Sequence, residues 1–216
     1  MLTSMNLTQL YRKVLDIAKK EYSKSKYDPD LDLYRIEDLY NSVSHNQIES
    51  KTWLVEEATH YLNDNDRICI IGAWYGVLSH MLQQYTKCII HNVDTDPYTK
   101  IIGQKLVNDL EPKPAWYLED GVDRYLENKD WYTVLCSTSV EHIPPKRFYE
   151  LMSEKPEDTL VILQSNNNES ELEHINIHDT LENLQIDSLL NDIYYSGSKE
   201  FKGTNGNYHR HMVIGR

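Results

Sequence analysis

The residues best suited to do chemistry in this 216-residue chain begin with one glycine turn and the acid that follows it. Arg67-Ile-Cys-Ile-Ile-Gly-Ala-Trp-Tyr-Gly-Val-Leu starts as an uncharged, β-branched run and stops at Gly72. Gly76 then opens a helical pattern through Val77, Leu78, Met81 and Leu82. A strand, a glycine turn and a helix start let backbone come close to a ligand and aim free N–H groups at it. A second apolar run, Cys88-Ile-Ile-His-Asn-Val, ends in Asp94-Thr95-Asp96-Pro97. A carboxylate at the tip of the neighbouring parallel strand is where a ribose diol is held. The pair reads as a nucleoside-binding site. The alternative is a plain βαβ unit whose glycine serves packing alone.

Glycine spacing narrows the nucleoside. A dinucleotide fingerprint needs G-x-G-x-x-G, and here Trp74 and Val77 fill the second and third glycine positions. A pyrophosphate would meet an indole where it needs bare backbone. A ligand without phosphates has no such requirement. The turn and the acid together resemble motifs I and II of the class I S-adenosylmethionine-dependent methyltransferases. That resemblance implies a cofactor site built from Gly72, Ala73, Trp74, Tyr75 and Gly76, with Asp94 on the ribose and Thr95 beside it. Asp96 is an N-cap ahead of Pro97.

Further along, Ala115-Trp-Tyr-Leu118 leads into Glu119-Asp120-Gly121-Val122. The resemblance puts Asp120 on the adenine amino group, with Gly121 and Val122 along the ring. Asp120 could equally cap the next helix through its carboxylate, and both could hold at once. Trp131-Tyr-Thr-Val-Leu-Cys136 runs into Ser137-Thr138-Ser-Val-Glu141-His142-Ile-Pro-Pro145, which resembles the family's Glu-His-hydrophobe-Pro motif. Ser137 and Thr138 then belong to the cofactor site, and Glu141 and His142 are the candidate catalytic pair. A general base is needed only if the acceptor is a hydroxyl or an activated carbon. The other reading is that both residues shape the loop. No Asp/Asn/Ser-Pro-Pro-aromatic loop for a flipped base is present, and Cys136 follows Leu135, not a proline.

The elements that must position these groups can be read in chain order. Leu2 to Lys26 forms an amphipathic stripe through Leu7, Leu10, Tyr11, Val14, Leu15, Ile17 and Ala18. Asp28-Pro29-Asp30 interrupts it, and Leu31 to Ser50 has no clean period. Ser50 is read as the start of a helix through Trp53, Leu54, Ala58 and Tyr61. Residues 1–65 are therefore expected to be a helical lid on a methyltransferase core spanning 66–216. Within the lid, Asn46, Gln47, Ser50 and Lys51 stand near Trp53, and Lys51 suits the carboxylate of the cofactor's amino-acid tail. The alternative is a solvated lysine beside a Ser50 cap.

Beyond Asp96, a helix is expected over Pro97 to Leu110, and Thr159 to Gln164 reads as strand five. Ser165-Asn-Asn-Asn168 then reads as a loop of substrate-facing groups at the carboxyl edge of the sheet. His174 and His178 would share a metal only on a helix, and no third ligand is apparent, so no metal is expected. A helix near Asp179 to Leu190 precedes two strands around Gly203-Thr-Asn-Gly206, and the alternation of His209 and His211 marks one sheet face. The expected fold is α/β: a Rossmann-like methyltransferase sandwich, a seven-stranded mostly parallel sheet with a C-terminal antiparallel hairpin and the helical lid.

Composition excludes several classes. A formal net charge of −12 argues against duplex nucleic acid as partner, because Lys and Arg supply most affinity for phosphate backbones. No run approaches the ~18 apolar residues of a membrane span, and no secretory leader is expected, since the N-terminal stretch lacks an apolar h-region. Cys69, Cys88 and Cys136 read as small buried residues of a reducing, cytoplasmic compartment. Richness in Asn, Tyr, Ile and Lys fits an AT-rich genome, such as a viral one. The expected activity is methyl transfer from S-adenosylmethionine to a small-molecule acceptor. Alternatives are macromolecular methylation, another use of the same cofactor, or a silent binding or partner subunit; acceptor and oligomeric state are not legible.

Overall fold

From Arg67 onward apolar strand runs alternate with amphipathic stripes, a pattern that builds a parallel sheet with crossover helices. The computed structural model describes residues 4–24, 29–170, 172–203 and 206–216. Three helices come first: α1 (Ser4–Lys24), α2 (Pro29–Asn41) and α3 (His45–Ala58). Then β1 (Arg67–Ile71), α4 (Val77–Leu82), β2 (Ile89–Asp94), α5 (Pro97–Leu106), β3 (Ala115–Leu118), α6 (Gly121–Glu127) and β4 (Val134–Ser137) alternate. A 3₁₀ turn (Val140–His142), α7 (Pro145–Glu154), β5 (Leu160–Asn166) and α8 (Leu181–Asp187) follow, then the hairpin of β6 (Ile193–Gly203) and β7 (Gly206–Gly215).

The strands form one seven-stranded sheet in the order β3-β2-β1-β4-β5-β7-β6. β1 to β5 pair in parallel, and β7 runs antiparallel between β5 and β6. Strand order reverses between β1 and β4, so a crevice opens beyond the carboxyl ends of those two strands. Side chains alternate across the sheet. Ile68, Ile70, Ile90, Cys136, Ile162 and Ile214 pack under α1, α3, α4 and α5 through Leu10, Val14, Leu54, Leu78 and Ile102. Cys69, Ile71, Leu135, Val161 and Leu163 pack on the opposite face with Tyr125, Phe148 and Leu151 of α6 and α7. All three cysteines are buried free thiols.

The N-terminal helices are fastened to the α5 side of the sheet. Lys13 pairs with Asp109, Lys105 with Glu21, and Arg35 with Asp96, whose other oxygen caps α5 on Tyr98 N. In the α1 stripe Leu10, Val14, Ile17 and Ala18 are buried, but Tyr11 and Leu15 are exposed. Two helix boundaries depart from the sequence reading. α2 fills a stretch without a clean period, because it turns Leu39 to the core while Asp38 faces the crevice. α3 begins at His45, not Ser50, and Ser50 lies inside it. Its hydroxyl donates to Gln164 Oε1 at 2.9 Å, and Gln164 Nε2 donates back to Ser50 O at 3.1 Å. That buried reciprocal pair, not helix capping, explains the serine.

α5 ends at Leu106, short of Leu110. β5 continues through Ser165 and Asn166, which pair with His211 and Arg210 of β7 and are buried strand residues, not loop. The hairpin forms around Gly203 and Gly206, with Ser196 to Lys202 paired to β7 along β6. His209 and His211 do mark one face of β7, their rings parallel at 6.4 Å. No helix among the described residues is long and apolar enough to cross a membrane.

Candidate functional site

The crevice at the β1/β4 reversal is a cavity of about 710 Å³, within the ~300–1,000 Å³ usual for small-molecule sites. Its floor is the glycine turn. Gly72 and Gly76 have φ of +65° and +72°, a region open to glycine at little cost. A Cβ on Gly72 would lie 2.5 Å from Ser139 Oγ, and one on Gly76 would lie 2.7 Å from Trp116 Cζ2. Between them Trp74 also takes positive φ, at 50°. This strained non-glycine residue is held by named partners. Its backbone N–H donates to Asp94 Oδ2 at 2.8 Å, and its indole N–H donates to Asp38 Oδ2 at 3.1 Å.

Asp94 ends β2 and lines the cavity. Its second oxygen accepts from Asp96 N at 3.0 Å. Burial pushes its carboxyl above the usual range, partly offset by these backbone donors. The Trp74 indole does not plug the crevice; its tie to Asp38 turns it toward α2, and it forms part of the wall. Asp38 also accepts from Tyr75 O–H at 2.7 Å, so one carboxylate of α2 latches both aromatic residues of the turn.

α3 supplies the lysine. Lys51 is buried, lines the cavity and donates to Gln47 Oε1 one turn earlier. Desolvation, with help from the positive charge of Arg210, pulls its pKa down to about 7, although Glu141 acts in the opposite sense. Its ammonium lies 5.9 Å from the Trp74 ring. It is not a solvated surface lysine.

The carboxyl ends of β4 and β5 and the amino end of antiparallel β7 form the other end of the cavity. Glu141 is only 2% exposed. Its Oε1 accepts from Asn166 Nδ2 and lies 3.9 Å from Arg210 Nη2, while its Oε2 has no hydrogen-bond partner among the described residues. Arg210 itself donates to Thr138 O at 3.2 Å. His142 is exposed, and its ring meets that of His174 edge to face at 4.9 Å.

Of the residues singled out from sequence, Lys51, Gly72, Ala73, Trp74, Asp94, Thr95, Gly121, Thr138, Glu141 and His142 line this one cavity. Tyr75, Gly76, Asp120, Val122 and Ser137 do not. Tyr75 is fully buried against Asp38 and Tyr98, and Val122 and Ser137 are buried. Asp120 caps α6 by accepting from Val122 N at 2.9 Å and Asp123 N at 3.0 Å, and its neighbour Glu119 is the acid on the wall. His174 and His178 are not on a helix and do not converge; His178 Nδ1 pairs with buried Ser165 and Nε2 faces Asp187. Sequence reasoning missed Asp38, Arg210 and Tyr208 in the wall. Period-two alternation along β7 puts Tyr208 and Arg210 on one face and was the signal for them.

No family profile matches the chain, and no curated protein matches it. Solved structures do match in three dimensions. An N-methyltransferase NodS from Bradyrhizobium japonicum WM9, in complex with S-adenosyl-L-homocysteine, superposes with a TM-score of 0.61 at 8% identity, over 92% of this chain and 98% of that one. An O-methyltransferase from Bacillus cereus in complex with the same product gives 0.59 at 10% identity, over 95% and 91%. Magnesium protoporphyrin IX methyltransferase from Synechocystis PCC 6803, with S-adenosylmethionine bound, gives 0.54 at 14% identity, over 85% and 84%. The chain has the Rossmann-like fold of the class I S-adenosylmethionine-dependent methyltransferases.

Proposed function

We propose that this protein is an S-adenosylmethionine-dependent methyltransferase acting on a small-molecule acceptor. The observation that carries the reading is the convergence of the Gly72 turn, the Asp94 carboxylate and the buried Lys51 ammonium on one cavity at the strand-order reversal. The residues fit the cofactor: a diol on Asp94, an adenine passing Gly121 and Glu119, and a carboxylate on Lys51, whose amine donates a hydrogen bond to Gln47 Oε1. When bound, the cofactor supplies an electrophilic methyl group on a sulfonium, and the protein contributes alignment and exclusion of water.

The chain's own residues divide that work. Asp94 orients the sugar, with its own geometry fixed by two backbone donors. Trp74, latched by Asp38, and Lys51 bring α2 and α3 over the cavity, which supports a lid role for the N-terminal helices. Glu141 and His142 stand at the acceptor end, where an acceptor is positioned and its proton removed. A small acceptor is favoured over a phosphate-backboned macromolecule because the chain carries a net charge of −12 and the cavity has an acidic rim of Asp38, Glu119 and Glu173.

The test is to incubate the protein with S-adenosylmethionine and a library of small hydroxyl, amine and carboxylate acceptors and follow products by mass spectrometry. Formation of S-adenosylhomocysteine together with an acceptor heavier by one methylene unit is the expected result. Wild-type protein with no affinity for either adenosyl ligand would leave a silent partner subunit. Methylthioadenosine or a lactone would show another use of the cofactor.

A further inference from the structure

A cluster at the acceptor end is more elaborate than an acid–base pair requires. Glu141, His142 and His174 bring one ligand atom each to within 4.8 Å of one another. They come from the 3₁₀ turn after β4 and from the loop after β5, and all three line the cavity. Glu141 Oε2 is buried and accepts no hydrogen bond from the described residues, although an unsatisfied buried carboxylate oxygen is costly. Something beyond the described side chains is needed to complete it.

The surrounding bonds orient the cluster in the way that metal ligands are oriented. His174 Nδ1 lies 2.7 Å from the carbonyl of Asn168. A carbonyl only accepts, so Nδ1 carries the proton and Nε2 presents its lone pair. Asn166 ties the two halves together: its Nδ2 donates to Glu141 Oε1, and its Oδ1 accepts from Asn168 N at 2.9 Å. The main-chain N–H groups of Ile175 and Asn176, beside His174, donate to the carbonyl of Glu141 at 2.9 and 3.0 Å. One buried amide and two backbone bonds thus hold the Glu141 carboxylate beside the His174 segment, and the His142 ring packs edge to face on His174.

We propose that Glu141, His142 and His174 bind a divalent transition-metal cation of the Zn²⁺, Mn²⁺, Fe²⁺ or Co²⁺ class. Two nitrogen ligands and one carboxylate suit these ions and disfavour Mg²⁺ and Ca²⁺, which take oxygen ligands. Three protein ligands leave positions open toward the cavity. An acceptor with an oxygen donor, such as a hydroxyl or a vicinal diol, would fill one and lose its proton more readily there. The role of Glu141 and His142 at the acceptor end then becomes ligation, with the cation in place of a lone imidazole base. That last step rests on the methyltransferase reading; the binding of metal does not.

The experiment is a Co²⁺ titration of chelator-stripped protein, followed by visible d–d absorption and by metal analysis after gel filtration. One Co²⁺ per chain is expected, with its bands lost in His174→Ala and in Glu141→Gln and retained in the control His209→Ala. The loss of affinity should exceed the ~10- to 100-fold typical of removing a mere outer-shell partner. Circular dichroism of each variant separates a lost ligand from a lost fold, and the exposed His142→Ala provides a further variant that spares the core. No stoichiometric Co²⁺ on wild-type protein, or unchanged binding by a folded His174→Ala, overturns the site. Calorimetry with S-adenosylhomocysteine is run on the same samples. Co²⁺ binding without nucleoside binding upholds the metal site and removes the cofactor reading; nucleoside binding without Co²⁺ does the reverse.

Discussion

Lys51 gives the most quantitative test of how the amino-acid end of the cofactor is held. Burial lowers its pKa from 10.5 to about 7, so in the free protein at pH 8 most of the population is neutral. A ligand carboxylate placed against it favours the ammonium, and a charge-assisted hydrogen bond of ~1.5–3 kcal/mol corresponds to a rise of about 1–2 pKa units. Between the free and bound values, binding must take up a proton. The affinity for S-adenosylhomocysteine should therefore be flat below pH 7 and fall above it, by about 10- to 100-fold by pH 9. Calorimetry in two buffers of different ionisation enthalpy at pH 8 reads the uptake directly, at roughly half a proton or more per ligand. Methylthioadenosine, which lacks the tail, should show neither effect. Zero proton uptake by the homocysteine ligand, or an identical pH profile for the truncated one, would refute the placement of the carboxylate on Lys51.

The same lysine predicts a trade between stability and binding. An unfolded chain protonates Lys51 below pH 10.5, whereas the folded one does so only below about 7. The penalty on folding is thus absent above 10.5, grows as pH falls toward 7 and is constant below. Lys51→Met should raise Tm at pH 7, leave it little changed near pH 10.5, and weaken S-adenosylhomocysteine binding; thermal scans at both pH values check it. Asp94→Ala should cost about 10-fold or more in affinity for adenosyl ligands, since bonds to a charged acceptor are worth ~1.5–3 kcal/mol, and calorimetry at wild-type affinity would remove Asp94 from the ribose role. Ser50→Val orphans buried Gln164 Oε1 at a cost of about 1–3 kcal/mol, seen as a lower midpoint in urea. Gly76→Ala forces a side chain to φ +72° against Trp116; the left-handed backbone alone costs ~1–2 kcal/mol, a drop of about 2–8 °C in Tm.

What was legible from sequence follows from which forces are local. β1, the glycine turn, β2 and Asp94 were readable because an apolar run, two glycines and a terminal acid are written in consecutive residues. The parallel sheet and closing hairpin followed from strand and helix alternation. The misses involve groups whose partners are distant in sequence. Ser50 resembled a cap until Gln164, 114 residues away, proved to be its partner. α2 hid because its polar Asp38 faces inward to bind the turn, so no amphipathic stripe was visible. The spacing of His174 and His178 allows a shared ligand only on a helix, and nothing in it signals that the loop carries His174 to Glu141 and His142. Asp120 was readable as a cap, and the neighbouring Glu119 was not readable as the wall residue, because strand alternation decides between them only once the strand end is known.

The central claim is that an adenosine lies across the tips of β1, β2 and β3 with its sugar on Asp94. The crystal structure of the complex with S-adenosylhomocysteine tests it most directly. Both ribose hydroxyls are expected within hydrogen-bonding distance of the Asp94 carboxylate, with the tail carboxylate beside Lys51. A nucleoside bound elsewhere, or a sugar out of reach of Asp94, would contradict it.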